Sequence, residues 1–513
     1  MFNRFKKKKS KGHEVKQKDV SIDYMLTNSL QRNIELMKEI FNSDDTFITR
    51  QFENMQNKNI KGCIFFIEGM VNNEIINENI IKPIVISTSI NVKNNVIDSI
   101  LQHVIFSNSV ERTSEINKVV ESIARGDTAL FLEGSGEVLI ISAKGWQTRA
   151  ISEPEGEKVI RGPREGFTES LLINLTLLRR KLITPDLKLN YKVIGVKSRT
   201  RVCICYINGI ANDKILKELN KRLDNIDIDG IMDSGTISEL IKDSPLSPFK
   251  TVGSTERPDI LAAKLLEGRI GVIVDGTPVA MTVPFVFIEY FQANEDYYIN
   301  FYFSSISRLL RVFCFMLTIS LPAVFVALIT FHQEMVPTPL AISLSAARQI
   351  VPFPAVVGAF LLLIVFEILR ETGTRMPTNL GQALGIVGAV ILGQAAVEAK
   401  FTSAPMVIIV ALTGISGLAL PRLKGAVIVI RLIFLLFASF IGLYGFMFGV
   451  IGLLNHLFEL RSFGVPYMLS LMNLDPQDLQ DTSVRVPWMY MKYRPKFIAL
   501  NNRIRNASEG GKK

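Results

Sequence analysis

The chain has 513 residues, 48% of them hydrophobic, and a formal net charge of +10. That length allows several domains. Four cysteines without a CxxC pair and four scattered histidines exclude a disulfide framework and a zinc site, so no metal or cofactor is expected.

No GxxxxGK[ST], HExxH or GxSxG motif occurs, which leaves no constellation for an enzyme, and no nucleic-acid partner is expected. Composition changes along the chain. The first 300 residues are mixed and polar, whereas long apolar runs dominate from Arg308 to Leu454. The pattern predicts an α/β soluble region of two related lobes followed by an all-α polytopic membrane domain.

Residues 1–49 read as a basic, polar tail and a helix. No apolar core follows the run "KKKK", so the soluble part is expected to stay on the side where it is made. The lysines read as a solvated face, with a contact to anionic lipid as the sharper alternative.

Residues 50–150 are expected to form the first lobe. "CIFFIEG" (63–69), "ALFLEG" (129–134) and "EVLIISA" (137–143) read as strands, and 110–124 as a helix. The loop "LEGSGEV" (132–138) lacks the GxGxxG spacing and leads into another strand, so it reads as a hairpin and not a phosphate cradle.

Residues 151–190 are expected to join the lobes. Here Arg161, Gly162, Pro163, Arg164, Glu165, Gly166 and Glu169 precede a leucine-rich helix predicted over 169–182, with Thr168 as its cap. Glu157, Glu165 and Glu169 stand at spacings that let them pair with Arg161 and Arg164 inside the loop. Arginines neutralised in this way are poor anion ligands, so a structural joint is favoured, its helix packed across both lobes or against a neighbouring subunit.

The second lobe is expected over 191–300. "YKVIGV" (191–196), "VCICYING" (202–209), "IGVIVDG" (270–276) and "PVAMTV" (278–283) read as strands, and 213–223 as a helix. "CIFFIEGMVNNEIINENI" (63–80) aligns with "CICYINGIANDKILKELN" (203–220), and "RGDTALFLEGSGEVLII" (125–141) with "EGRIGVIVDGTPVAMTV" (267–283). The near-constant interval between the two pairs indicates a duplication.

Five apolar segments fall within 301–456: 308–331, 351–369, 380–397, 403–420 and 426–454. A span needs about 20 residues, so the last is longer than one crossing. Arg308 and Arg311 place the first start on the cytoplasmic side. Five crossings would then put the tail 457–513 outside, whereas its basic, aromatic run "RVPWMYMKYRPKF" argues for the cytoplasm. Either the long segment or the loop at 332–349 holds a further crossing or re-entrant piece, or the tail breaks the charge rule; a cytoplasmic tail is preferred.

Within this region Glu367, Arg370, Glu371 and Arg375 form a charged cluster at helical spacing, read as a snorkelling group or a vestibule lining. Arg431 reads as snorkelling. Gly381, Gln382, Gly385, Gly388, Gly393, Gln394 and Glu398 mark a helix with a small-residue stripe and buried polarity. Tight helix packing is favoured for it, with a pore-lining role in an oligomer as the alternative.

Six blocks in order, "IRGPREGFTES" (160–170), "STERPDILAAKLLEGRIGVIVDGTP" (254–278), "FHQEMVPTPL" (331–340), "LRETGTRMP" (369–377), "GQAAVEA" (393–399) and "RSFGVPYMLS" (461–470), resemble the A subunits of GerA-type spore germinant receptors. Glu256, Arg257, Pro258, Asp259, Asp275 and Gly276 lie in the second block. The resemblance implies an inner-spore-membrane subunit, its lobes in the cytoplasm or spore core, that forms or gates a nutrient-responsive ion channel triggering germination. It also implies a transporter-like B subunit, a lipoprotein C subunit, self-association into a ring and contact with the lipid bilayer. A non-conducting scaffold that docks the transporter-like partner, and a paralogue serving dipicolinic-acid release, stay open as alternatives.

Overall fold

The computed structural model describes residues 25–88, 96–103, 105–106, 109–146, 154, 156–159, 161–375, 388, 391–469, 481–495, 497–499 and 502–505. Two compact units emerge: Met1–Gln147 with Ile183–Pro185, and Thr148–Leu182 with Asp186–Lys513.

The first unit contains α1 (Leu30–Ile40), β1 (Phe47–Glu53), β2 (Lys61–Ile67), a π-helical turn Ile75–Ile81 running into α2 (Lys82–Ile86), α3 (Val96–His103), β3 (Val110–Thr113), α4 (Ile116–Ala124), β4 (Thr128–Leu132) and β5 (Val138–Ile141). Its strands pair antiparallel in the order β1-β2-β4-β5-β3. The helix expected over 110–124 is therefore a strand followed by a shorter helix, because Val110–Thr113 completes the ladder of β5.

Alternation at a period of two explains the core. Cys63, Phe65 and Ile67 of β2 face α1 and α4, while Ile64 and Phe66 face the helical run 75–86 and α3. Both faces are covered, which is why these strands read as unbroken apolar runs.

The second lobe repeats this order: α5 (Leu171–Lys181), β6 (Leu187–Ile194), β7 (Thr200–Ile207), α6 (Asp213–Asp224), α7 (Ser234–Ile241), β8 (Gly253–Thr255), α8 (Pro258–Leu266), β9 (Ile270–Val274) and β10 (Ala280–Val283). The strand order β6-β7-β9-β10-β8 is that of the first sheet. α5 and α8 cover Cys203, Cys205 and Ile273, and α6 and α7 cover Val202, Ile204 and Val272.

The helix expected over 169–182 as a joint between lobes is thus the opening helix of the second lobe, the counterpart of α1. The same local hydrogen bonds set both. Asn33 Oδ1 accepts from Thr27 N at 3.0 Å and Asn33 Nδ2 donates to Thr27 O at 2.7 Å. Asn174 does the same with Thr168 at 2.7 and 2.6 Å. Thr168 is consequently not the cap. A carboxylate from the β-hairpin takes that role in both lobes, Glu133 accepting from Leu30 N at 3.1 Å and Asp275 from Leu171 N at 3.0 Å.

After the short turn Asn294–Tyr297 the chain enters α9 (Phe301–Thr330), then α10 (Thr338–Arg348), α11 (Ala355–Arg375), helical residues 391–398, α12 (Ala404–Leu418), α13 (Lys424–Ile441) and α14 (Leu443–Glu459). Two helices, Phe301–Thr330 and Pro421–Ile441, are long and apolar enough to cross a membrane among the described residues.

The segment 426–454 is not one long span. Gly442 takes φ +67 between α13 and α14, and a β-carbon there would lie 2.7 Å from His332, at the far end of α9. α14 then runs back alongside Phe434, and His456 near its end meets Ser247 of the second lobe at 2.9 Å. The last apolar segment is therefore two antiparallel helices, α13 and α14. The tail returns to the lobe end of the helical region, where β11 (Arg461–Ser462) and β12 (Val465–Pro466) add Phe463, Val465 and Leu469 to the lobe's core.

Candidate functional site: ionic clamps between the second lobe and the helical region

No described group of His, Cys, Asp and Glu could hold a metal ion. What stands out instead is a series of buried charges where the second lobe meets the helices.

The first clamp joins the loop at 157–166 to the start of α8. Arg257 is fully buried. Its guanidinium donates to Glu157 O at 3.2 Å, to Pro163 O, and to both oxygens of Asp259 at 3.1 Å. Asp259 also accepts from Tyr298 Oη at 2.6 Å and Asn294 Nδ2 at 2.9 Å. Burial pushes the Asp259 carboxyl upward, but the hydrogen bonds from Arg257, Tyr298 and Asn294 outweigh it and hold the group below its ordinary value. Tyr298 moves the other way, to about 12, through burial and its bond to that carboxylate. Phe167 N donates to Glu256 O at 2.7 Å, and Gly162 lies against the Tyr298 ring with no room for a β-carbon.

The loop block and the second-lobe block therefore meet. Two acids of the loop, Glu157 and Glu165, pair with residues outside it. Glu157 binds Arg422 at 2.5 Å and accepts from Thr255 Oγ1 at 2.7 Å, so it links β8 to the turn before α13. Glu165 binds Lys181 at 2.8 Å on α5. Arg161 and Arg164 are exposed, Gly166 is buried, and Glu169 O accepts from Gly276 N at 2.7 Å. Pro258 opens α8, where its missing N–H costs nothing.

A second clamp holds the start of α9. Asp296 binds Arg308 at 2.9 Å and Arg311 at 2.8 Å. Arg308 reaches on to Asp481 of the tail at 2.6 Å, and Arg485 donates to Asp296 O at 2.5 Å. Tyr297 Oη donates to Asp481 at 2.6 Å. Arg308, Asp296 and Arg485 are each buried. Burial raises the Asp296 carboxyl, and the two arginines bring it below the ordinary carboxylate value.

A third group lies under β9. Glu289 binds Arg269 and Lys264, each at 2.6 Å, and its carboxyl, raised by burial, is held low by those two cations. Next to it Phe249, Phe285, Tyr290, Phe291 and Phe315 continue the lobe's core into α9.

Inside the helical region the predicted cluster divides. Glu367 binds Arg370 on its own helix and Arg431 of α13 at 2.6 Å. Arg431 is 2% exposed, so it is a buried partner and not a snorkelling residue. Glu371 binds Arg375 at 2.9 Å and Lys424 at 3.5 Å on the exposed side. A β-carbon on Gly388 would lie 3.1 Å from Leu369, and one on Gly393 3.6 Å from Val407. Gln394 and Glu398 are exposed, so Gln394 supplies no buried polarity within the chain. Gly381, Gln382 and Gly385 lie outside the described residues.

The family model described as "Bacillus/Clostridium GerA spore germination protein" matches residues 35–497. The chain belongs to the GerA family. Spore germination protein KA of Bacillus subtilis (strain 168) is 41% identical over 488 residues, covering 94% of this chain and 89% of the relative. An uncharacterized membrane protein of that organism, YfkQ, is 39% identical, with 95% of each chain covered. Among solved structures, the N-terminal domain of the A subunit of the Bacillus megaterium spore germinant receptor GerK3 matches at 35% identity. That match covers 52% of this chain and 98% of that one, with a TM-score of 0.41.

In this GerA-family chain the sequence reading passed over Asp296, Asp481, Arg485, Glu289 and Arg269. Each is an ordinary charged residue that no catalytic or metal-binding motif marks. The available signal was Arg308 and Arg311 at the head of an apolar run, which calls for nearby carboxylates once the helix start is buried.

Proposed function

We propose that this chain is the A subunit of a spore germinant receptor, self-associating into a ring that forms or gates a nutrient-responsive ion channel and so triggers germination. Its setting is the inner spore membrane, with the lobes in the cytoplasm or spore core. A transporter-like B subunit and a lipoprotein C subunit are its partners.

One observation carries the gating part of this reading. The second lobe holds the lobe ends of α9 and of the turn before α13 through Asp296–Arg308 and Glu157–Arg422, at 2.9 and 2.5 Å. A movement of the lobe is therefore delivered to two separate membrane elements. The Asp296–Arg308 pair is buried and the Glu157–Arg422 pair half-buried, and packed pairs of this kind have discrete arrangements, as a two-state gate requires.

The test is nutrient-dependent cation leakage from vegetative cells expressing the chain with its B and C partners. Glu157→Lys should abolish the response, and a second change, Arg422→Glu, should restore it. Bulky substitutions at Gly385, Gly388 and Gly393 should alter the leak. A correctly assembled complex without leakage, or a monomer by mass measurement, would overturn the proposal.

A further inference from the structure

A cavity of about 200 Å³ opens between α11, helical residues 391–398 and α12. Leu362, Phe366 and Leu369 line one wall, and Gly393, Val407 and Val410 face them. It exists because residue 393 has no side chain: a longer one would grow toward Val407, whose methyl already lies 3.6 Å from an ideal β-carbon. At roughly 30 Å³ per molecule several waters would fit by volume, but an apolar lining offers them no hydrogen-bond partner. The lining therefore suits hydrocarbon.

The rim has the opposite character. Arg370 and Arg375 on α11 and Lys424 at the head of α13 stand at the lobe end, together with Glu367 and Glu371. Arg431 is buried behind Glu367, so the rim itself sets three cations against Glu371 and a Glu367 that Arg431 already shares. Arg370 stands over Phe366, 6.0 Å from the ring centroid, and its Nε is buried without a hydrogen-bond partner among the described residues. From Leu362 to Leu369 the helix rises about 10 Å, so the cavity leads inward from that rim.

We infer that this crevice binds an acyl chain of an anionic phospholipid whose headgroup rests on Arg370, Arg375 and Lys424. The inference rests on the reading of these helices as lying in a bilayer, with the lobe end at the headgroup level. A basic pocket between spanning helices above an apolar slot matches both halves of such a lipid. A neutral lipid satisfies only the slot, and a soluble anion satisfies only the rim.

The full chain, extracted from membranes, is placed in nanodiscs of phosphatidylglycerol or phosphatidylcholine with identical acyl chains, and retained lipid is read by native mass spectrometry. Phosphatidylglycerol should be retained over phosphatidylcholine. Gly393→Leu, which fills the slot, should lose the retained lipid. Lys424→Gln, at a half-buried position, should weaken retention by roughly fivefold, and it carries the test if the first variant does not fold. Equal retention of the two lipids, or no change in Lys424→Gln, would overturn the inference. So would a changed oligomer mass in Gly393→Leu with lipid unaltered, which would give the slot to a second copy of the chain. A chain that fails to sediment with membranes would sink the bilayer reading itself, a separate outcome.

Discussion

At Arg257 one buried guanidinium satisfies two carbonyls of the preceding loop and the carboxylate of Asp259. Removing one partner of such a group leaves a buried charge and two orphaned acceptors, so Arg257→Ala should cost about 3–5 kcal/mol. Urea unfolding of the purified chain would measure this, and Arg257→Lys should recover little, because an ammonium cannot span the same fork. The acids give the pH dependence. Asp259, Glu289 and Asp296 all have carboxyls held below their ordinary values by cations and hydrogen-bond donors. Their stabilisation is present above the unfolded values, about 4, and is lost as pH falls through the lower native ones. Acid unfolding should therefore be steep below about pH 4, and Asp259→Asn should flatten it. A profile unchanged by that substitution would show that this carboxylate is not responsible. In the helical region Glu367 and Glu371, four residues apart, should behave differently. Glu367→Gln strands Arg431, which is 2% exposed, and should cost about 3–5 kcal/mol in thermal stability. Glu371→Gln breaks only exposed pairs and should cost under about 1 kcal/mol.

At the scale of elements, Gly442 decides the course of the last apolar segment. Its φ of +67 turns α13 into α14 within one residue, and His332 and Phe331 occupy the space a side chain would need. β-branched residues are strongly disfavoured there. Gly442→Val should therefore prevent the hairpin from closing, seen as loss of the chain from the membrane fraction or as protease sensitivity near residue 442. Wild-type protease resistance in this variant would mean the turn is dispensable. The lobes carry a comparable lesson. Strands β2, β4, β7 and β9 were legible as apolar runs because both faces of each sheet are covered. β1, β3 and β8 were not, since they lie at sheet edges and carry few apolar residues in a row.

For the whole molecule, the hairpin sets the parity of the chain. The tail lies at the lobe end, where Asp481 and Arg485 complete the clamp on Arg308 and Asp296. A cysteine at exposed Val484 and one at exposed Leu246 should react with a membrane-impermeant maleimide in the same vesicle orientation. Labelling of the two from opposite orientations would contradict this path. The duplication also reads differently at this scale. The two lobes share element order and strand order, yet the tail packs into the core of the second, through Phe463, Val465 and Leu469. The second lobe is thereby bound to the helices as part of one compact unit.

Hydrophobic periodicity by itself determined the lobes, their duplication and the change to long apolar helices, because burial imposes periods of two and 3.6 that survive in one dimension. The last apolar segment was also legible as longer than one crossing requires. Only tertiary structure decided which charges are partners. Arg308 and Asp481 are far apart in the chain, as are Glu157 and Arg422, and Glu367 and Arg431. A charge has no period, and its partner is chosen by whichever surfaces the folded elements bring together. Residues 169–182 passed for a connector for the same reason: the Asp275 contact that caps them as the first helix of a lobe comes from a hairpin about 100 residues away.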